Sequence, residues 1–259
     1  MNKTQLILSG LAVLLVIVLL QLPRVVVEND KVGMEEIESH SFEIPADTRL
    51  TINELRRNWE VEVDIQKKLN FADSLASLYL DYQVLDSAVW FVDYLKSTGF
   101  EGREFRIADL YYWAFQRSPD ANQAKELGAK AGAEFKNLLA IHPENSSLKN
   151  RLAMTLVATE NPMQGIQMLR EILEENPGDA ETLKNLGILS LQSGQFDKAE
   201  ERFRELIATD DSTDLENLFY LAMSLAEQGK AEGNQLLEGL AENASNPAIQ
   251  ALAIEYLEN

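Results

Sequence analysis

Carboxylates are the residues of this chain with the most opportunity for chemistry: 42 Asp and Glu stand against 23 Lys and Arg in 259 residues. Adjacent pairs such as Glu174–Glu175, Glu200–Glu201 and Asp210–Asp211 could act as acid and base only at a set separation across a cleft. In so acidic a chain such pairs arise by chance, and they read as solvated helix faces. With two histidines and no cysteine, the chain lacks the means for a multi-histidine metal centre, a disulfide or a thiol nucleophile. His40 stands among Glu36, Glu38 and Glu43 and reads as part of a solvated acidic tether. His142 precedes Pro143 at a helix end, where an imidazole can meet free carbonyls. No Gly-rich phosphate loop, Gly-x-Ser-x-Gly elbow or His-Glu-x-x-His is present. No cofactor and no metal are expected, and the chain reads as non-enzymatic. A formal charge of −19 argues against nucleic-acid binding, which rests on cations neutralising phosphates.

Aromatic residues offer a second kind of chemistry. Trp59, Trp90 and Trp113 concentrate with Tyr79, Tyr82, Tyr94, Tyr111 and Tyr112 in residues 59–113. They could form a ligand cage, but aromatics at helical spacing more often fill a core, and the core reading is preferred.

The elements that hold these residues begin with an apolar N-terminus. Residues 6–22, "LILSGLAVLLVIVLLQL", carry no charge and span about 25 Å as a helix, the short end of a bilayer crossing. The bulky residues and proline that follow lack the small-residue pattern of a cleavage site, so residues 1–24 are predicted to stay as a signal-anchor. The run is apolar on every face, unlike a buried core helix with one apolar stripe. The basic head places the N-terminus inside and residues 25–259 outside. In a bacterium this means a single-pass inner-membrane protein with a cytoplasmic N-terminus and a periplasmic domain. Residues 25–48 are acidic, without helical or strand period, and read as a juxtamembrane linker.

Residues 49–259 read as helical throughout, with apolar residues at i, i+3, i+4 and i+7. Internal similarity recurs every 34 residues. Gly187 falls on Ala153, Leu186 on Leu152, Ala199 on Gly165, Phe203 on Leu169 and Asp211 on Pro177. One further step back places Gly165 on Ala131, Leu169 on Phe135 and Pro177 on Pro143. A glycine inside a helix costs about 0.5–1 kcal/mol relative to alanine. Gly187 is therefore expected where a second helix must come close.

Residues 179–212 resemble the tetratricopeptide repeat, a pair of antiparallel helices. Leu183, Leu186, Gly187, Ala199, Phe203 and Leu206 match its packing positions, and Gly194 its turn. Residues 145–178 keep Leu152, Ala153, Gly165, Leu169 and Pro177, with Glu160 in place of the turn glycine. In 69–102 the spacing recurs at Ala76, Tyr79, Ala88, Val92 and Leu95. The stretch between fits with an insertion of about ten residues at the start of its second helix, an offset read against the 34-residue period. After 213, Ala222 and Gly229 mark a good first helix, its partner "AEGNQLLEGLAE" looks degenerate, and the last segment is expected to cap the array. The resemblance implies an all-α fold: the N-terminal transmembrane helix, then a right-handed α-solenoid of helical hairpins with a C-terminal capping helix.

It also implies a binding surface on the first helix of each repeat. The family's groove positions fall on Asn150, Arg151, Met154 and Val157, then Lys184, Asn185, Ile188 and Leu191, then Phe219, Tyr220 and Met223. Such a groove takes a peptide or helix, with a carboxylate near Arg151 and Lys184. Met154 and Ile188 stand where the family's chaperone-tail clamp has asparagine, which argues against that ligand. The expected role is a membrane-tethered adaptor for other proteins, similar to anchored periplasmic repeat proteins of cytochrome c maturation or envelope protein assembly. The alternative is a structural subunit that self-associates into a homo-oligomer on the membrane.

Overall fold

The computed structural model describes residues 44–159, 161–209 and 214–258. The expected anchor at 6–22, His40, most of the acidic linker, the turn residue Glu160 and the pair Asp210–Asp211 lie outside them. Among the described residues no helix is long and apolar enough to cross a membrane.

Twelve α-helices make up the described chain. The N-terminal unit holds α1 (Ala46–Val61), α2 (Ile65–Asp81), α3 (Leu85–Ser97), α4 (Glu104–Arg117) and α5 (Ala121–Ile141). The C-terminal unit is built on α6 (Ser146–Ala158), α7 (Pro162–Glu175), α8 (Ala180–Gln192), α9 (Phe196–Thr209), α10 (Leu215–Glu227), α11 (Ala231–Asn243) and α12 (Pro247–Glu258). The first of these helices starts at Ala46, so the last residues of the expected linker are already helical.

Local chemistry sets the helix boundaries. Asp64, Asp120, Asp179 and Asp214 each accept a backbone N–H at a helix start, at 2.7–3.0 Å. An aspartate in that role is worth about 1 kcal/mol over alanine. Three hairpin turns close alike. The N–H groups of Val84, Gln195 and Lys230 donate to the carbonyls of Tyr79, Ser190 and Leu225 at 2.8, 2.8 and 3.0 Å. The residue before each donor, Gln83, Gly194 or Gly229, has a φ of 56°, 70° or 73°. Glycine takes that left-handed conformation without strain, and Gln83 takes it at a cost.

In the N-terminal unit Leu69, Leu75, Leu80, Phe91, Leu95, Leu110, Tyr111 and Phe135 are fully buried. The repeat positions Ala76, Tyr79, Ala88, Val92 and Leu95 all lie in this core. The inserted residues emerge as helix: α5 runs ten residues before Ala131, whereas α9 runs three before Ala199. That extra length buries Ala124, Leu127 and Gly128.

In the C-terminal unit three apolar clusters follow one another along the chain. The first joins Ala153, Leu169, Ile172 and Leu186; the second, Leu183, Ala199, Phe203, Leu206, Leu221 and Leu225. The third joins Phe219, Ala222, Leu237, Leu240, Ile249 and Ala253, so α12 packs on the preceding hairpin as a single helix. A β-carbon on Gly187 would lie 2.7 Å from the Phe203 ring. Gly187 thus meets the helix that bears Ala199, as expected, and does so through this ring. The segment that looked degenerate is a full partner: a β-carbon on Gly233 would come within 2.3 Å of the Ala226 nitrogen.

Candidate functional site

The first helices of the C-terminal unit, α6, α8 and α10, carry the expected groove residues, and their side chains divide into three groups. Two are interior. Asn150 is fully buried and Phe219 is 6% exposed, so neither offers a surface to a ligand, a correction to the expected groove. For Asn150 the cause is polar: its Nδ2 donates to Thr182 Oγ1 at 2.7 Å, and its Oδ1 accepts from Asn185 Nδ2 at 2.5 Å. Thr182 Oγ1 in turn donates to Asp179 Oδ1 at 2.8 Å. The N-cap of α8 is thus wired to an amide on α6. A buried amide with both ends satisfied fixes the offset of the two helices, since a slip would leave polar groups unpaired. Phe219 is interior because it joins the last apolar cluster.

A second group is half-buried and apolar. Met154, Ile188 and Met223 pack on the edges of the successive clusters, and Tyr220 bridges two of them. The Tyr220 ring stacks on Phe203 with centroids 5.4 Å apart.

The third group is charged and already engaged. Lys184 Nζ lies 2.8 Å from Glu216 Oε2, and Tyr220 Oη donates to Glu216 Oε1 at 3.1 Å. Burial pushes the Tyr220 phenol above its ordinary pKa, and the Glu216 charge pushes it further. Arg151 sits in the field of Glu181. Lys184 is therefore one end of a cross-helix pair, not an isolated cation. The face the structure presents is a half-exposed file of Arg151, Met154, Lys184, Asn185, Ile188, Tyr220 and Met223, with Glu216 added. Glu216 could have been found from its spacing, 32 residues after Lys184, the offset that also separates Asn150 from Thr182.

The other candidates have plain structural roles. Trp59, Trp90 and Tyr94 stand 5.3–6.0 Å apart, centroid to centroid, and Phe91 lies 5.5 Å from Trp59. Trp59 meets Trp90, Phe91 and Tyr94 edge to face while Trp90 and Tyr94 lie parallel, so the rings pack on one another, but Trp90 is 53% exposed and is not the core residue its spacing suggested. Tyr111 donates to Asp93 at 2.5 Å beneath Lys96 and Lys130. Glu175 pairs with Lys149 at 3.2 Å. Glu200 receives Arg204 at 3.0 Å, Gln228 at 2.9 Å and Lys230. His142 caps α5 through its backbone N–H, with its ring 5.2 Å from that of Phe105. Among the described residues no cluster of His, Asp and Glu could hold a metal ion.

The tetratricopeptide repeat family model matches residues 160–221, the stretch that contains α7, α8 and α9. Over this stretch the chain is similar to the tetratricopeptide repeat. A solved tetratricopeptide repeat protein from Parabacteroides merdae has the same fold, with a TM-score of 0.55 and 19% identity over 77% of this chain and 75% of that one. An uncharacterised protein of Sinorhizobium fredii, y4yS, is 30% identical over 95 residues, which are 37% of this chain and 52% of the relative. The chain thus spans about half the length of that curated relative.

Proposed function

We propose that the protein is a repeat scaffold that holds other proteins on the first-helix face of its C-terminal unit, tethered to a membrane by residues 6–22. The observation that carries this reading is the half-exposed file from Arg151 to Met223, which mixes cations, an amide and apolar edges on successive repeats. Such a mixture suits an extended peptide or an amphipathic helix. The apolar N-terminus and its basic head support a tether in a bacterial inner membrane with the repeats on the periplasmic side. Envelope protein assembly or cytochrome c maturation is the setting most in keeping with that architecture.

The test is a quantitative pull-down from detergent-solubilised native membranes, using the full chain. Truncating both Arg151 and Lys184 to alanine removes a charge-assisted contact of about 1.5–3 kcal/mol, so partner recovery should fall tenfold or more. Arg57→Ala with Lys136→Ala, on the N-terminal unit, is the control. Undiminished recovery with the first variant, or equal loss with both, would overturn the assignment.

A further inference from the structure

The turn that joins α1 to α2 holds branched apolar side chains out in water. Val61, at the end of α1, is 72% exposed, Val63 is 96% exposed and Ile65, the first residue of α2, is 45% exposed. The acids of the turn are directed onto the backbone. The Glu62 carboxylate accepts the N–H groups of Val63 and Asp64 at 3.0 and 2.9 Å, and the Asp64 carboxylate accepts that of Lys67 at 3.0 Å. Lys68 Nζ donates to the Glu62 carbonyl at 3.4 Å. These bonds fix a turn whose backbone groups are satisfied while its apolar side chains stay uncovered. An exposed apolar cluster of this kind marks a surface that something covers.

Charge and distance say what covers it. Residues 46–68 carry five acids and five bases, a net of zero in a chain of −19. Arg56 and Arg57 before the turn and Lys67 after it form no ion pair among the described residues. Lys68 also stands 5.1 Å over the Trp59 ring, whose centroid is 5.5 Å from that of the exposed Trp90. Branched apolar residues, unpaired cations and an indole beside one another are the composition of a surface that rests on anionic lipid. Only 23 residues lie between the apolar run that ends at Leu22 and the start of α1, a reach of at most about 80 Å. A tether of that length keeps the turn at a high local concentration beside the bilayer.

We propose that the α1–α2 turn seats on the bilayer that carries the anchor. Val61, Val63 and Ile65 enter the headgroup layer, and Arg56, Arg57 and Lys67 meet the phosphates of anionic lipids. The N-terminal unit is thereby held at the membrane surface. The proposal rests on the tether at residues 6–22 in the function proposed above, and it shares no residue with the Arg151–Met223 face.

The chain has no cysteine, so one introduced cysteine can carry a dye at a single site. The full chain is reconstituted in nanodiscs of phosphatidylethanolamine and phosphatidylglycerol, labelled at Val63→Cys or, as control, at Met163→Cys, 70% exposed in the C-terminal unit. Spin-labelled lipid should quench the dye at 63 at least threefold more than at 163, and aqueous iodide at least threefold less. Exchanging phosphatidylglycerol for phosphatidylcholine, or combining Arg56→Gln, Arg57→Gln and Lys67→Gln, should cut lipid quenching at 63 at least twofold. Equal quenching at the two sites, or no response to either change of charge, would overturn the proposal. So would shielding from iodide without quenching by lipid, which would mean that a protein covers the turn. Elution of the chain with the discs in high salt reports the anchor separately. A chain that leaves the discs overturns the tether and the proposal together, whereas one that stays, with site 63 open to iodide, overturns the proposal alone.

Discussion

Where α7 meets α6, a β-carbon on Gly165 would stand 2.4 Å from the Ala153 carbonyl oxygen. Where α11 meets α10, the same atom on Gly233 would lie 2.3 Å from a backbone nitrogen. In the N-terminal unit the position in register with Gly165 is Ala131, fully buried with its β-carbon already accommodated. The nearest glycine there, Gly128, would place a β-carbon 3.2 Å from the Phe115 ring and 3.3 Å from a Thr159 methyl, both side-chain atoms. The α6–α7 and α10–α11 crossings thus bring backbone against backbone, whereas side chains keep the helices apart at Gly128 of the N-terminal unit and at Gly187, where the neighbour is the Phe203 ring. Backbone contact leaves the two helices little freedom to slide, because neither side can yield. Side-chain spacing leaves latitude, and there the chain carries its lengthened α5.

The largest effect should separate these crossings. Gly165→Leu would meet the Ala153 carbonyl and the backbone nitrogen and stiff β-branched side chain of Val157, so its cost in a denaturant titration should exceed the usual overpacking range of about 1–3 kcal/mol. Gly128→Ala should fall within about 0.5 kcal/mol of wild type, because the helix propensity gained offsets a small shift of Phe115 and Thr159. Similar losses at both would erase the contrast. An intermediate effect belongs to the polar contact that sets register in the C-terminal unit. Asn150→Ala strands Thr182 and Asn185 and should cost about 1–3 kcal/mol, seen as a lowered denaturation midpoint. Stability equal to wild type would mean that apolar packing alone fixes the offset.

The smallest effect depends on pH. Burial works against the Glu200 charge, but hydrogen bonds from Lys230, Arg204 and Gln228 outweigh it and hold the carboxyl down to about 2. A folded-state pKa below the unfolded value gives stability that is complete above the unfolded pKa and lost as the pH falls toward the folded one. Glu200→Gln should therefore melt below wild type at pH 7, and the gap should close between about pH 4.5 and pH 2. A gap that widened with acid would reverse the assigned sign.

Much of this was legible in the residues. Leu183, Leu186, Gly187, Ala199, Phe203 and Leu206 are all buried, as their period implies. The period also reaches Gly233, Leu237 and Leu240, 34 residues beyond Ala199, Phe203 and Leu206, yet the polar residues between them made that helix look degenerate. The candidate site was less legible because a helical position fixes a direction, not a neighbour. Asn150 and Arg151 are adjacent in sequence, but only the placement of Thr182 and Asn185 decides that the first is interior.

Among α1 to α5, and again among α7 to α12, each helix rests mainly on those adjacent to it in sequence. Folding then closes only short loops, so the entropy lost before each contact forms is small and assembly is fast. The same arrangement makes unfolding piecemeal, since an end helix can leave without disturbing one three positions away. At the C-terminus α12 is held through Ile249 and Ala253, while Leu252, Ile254 and Leu257 remain 41–44% exposed. Its amide protons should exchange with solvent before those of α10, and detachment of this one helix would uncover Leu237 and Leu240 while the helices before it stay folded.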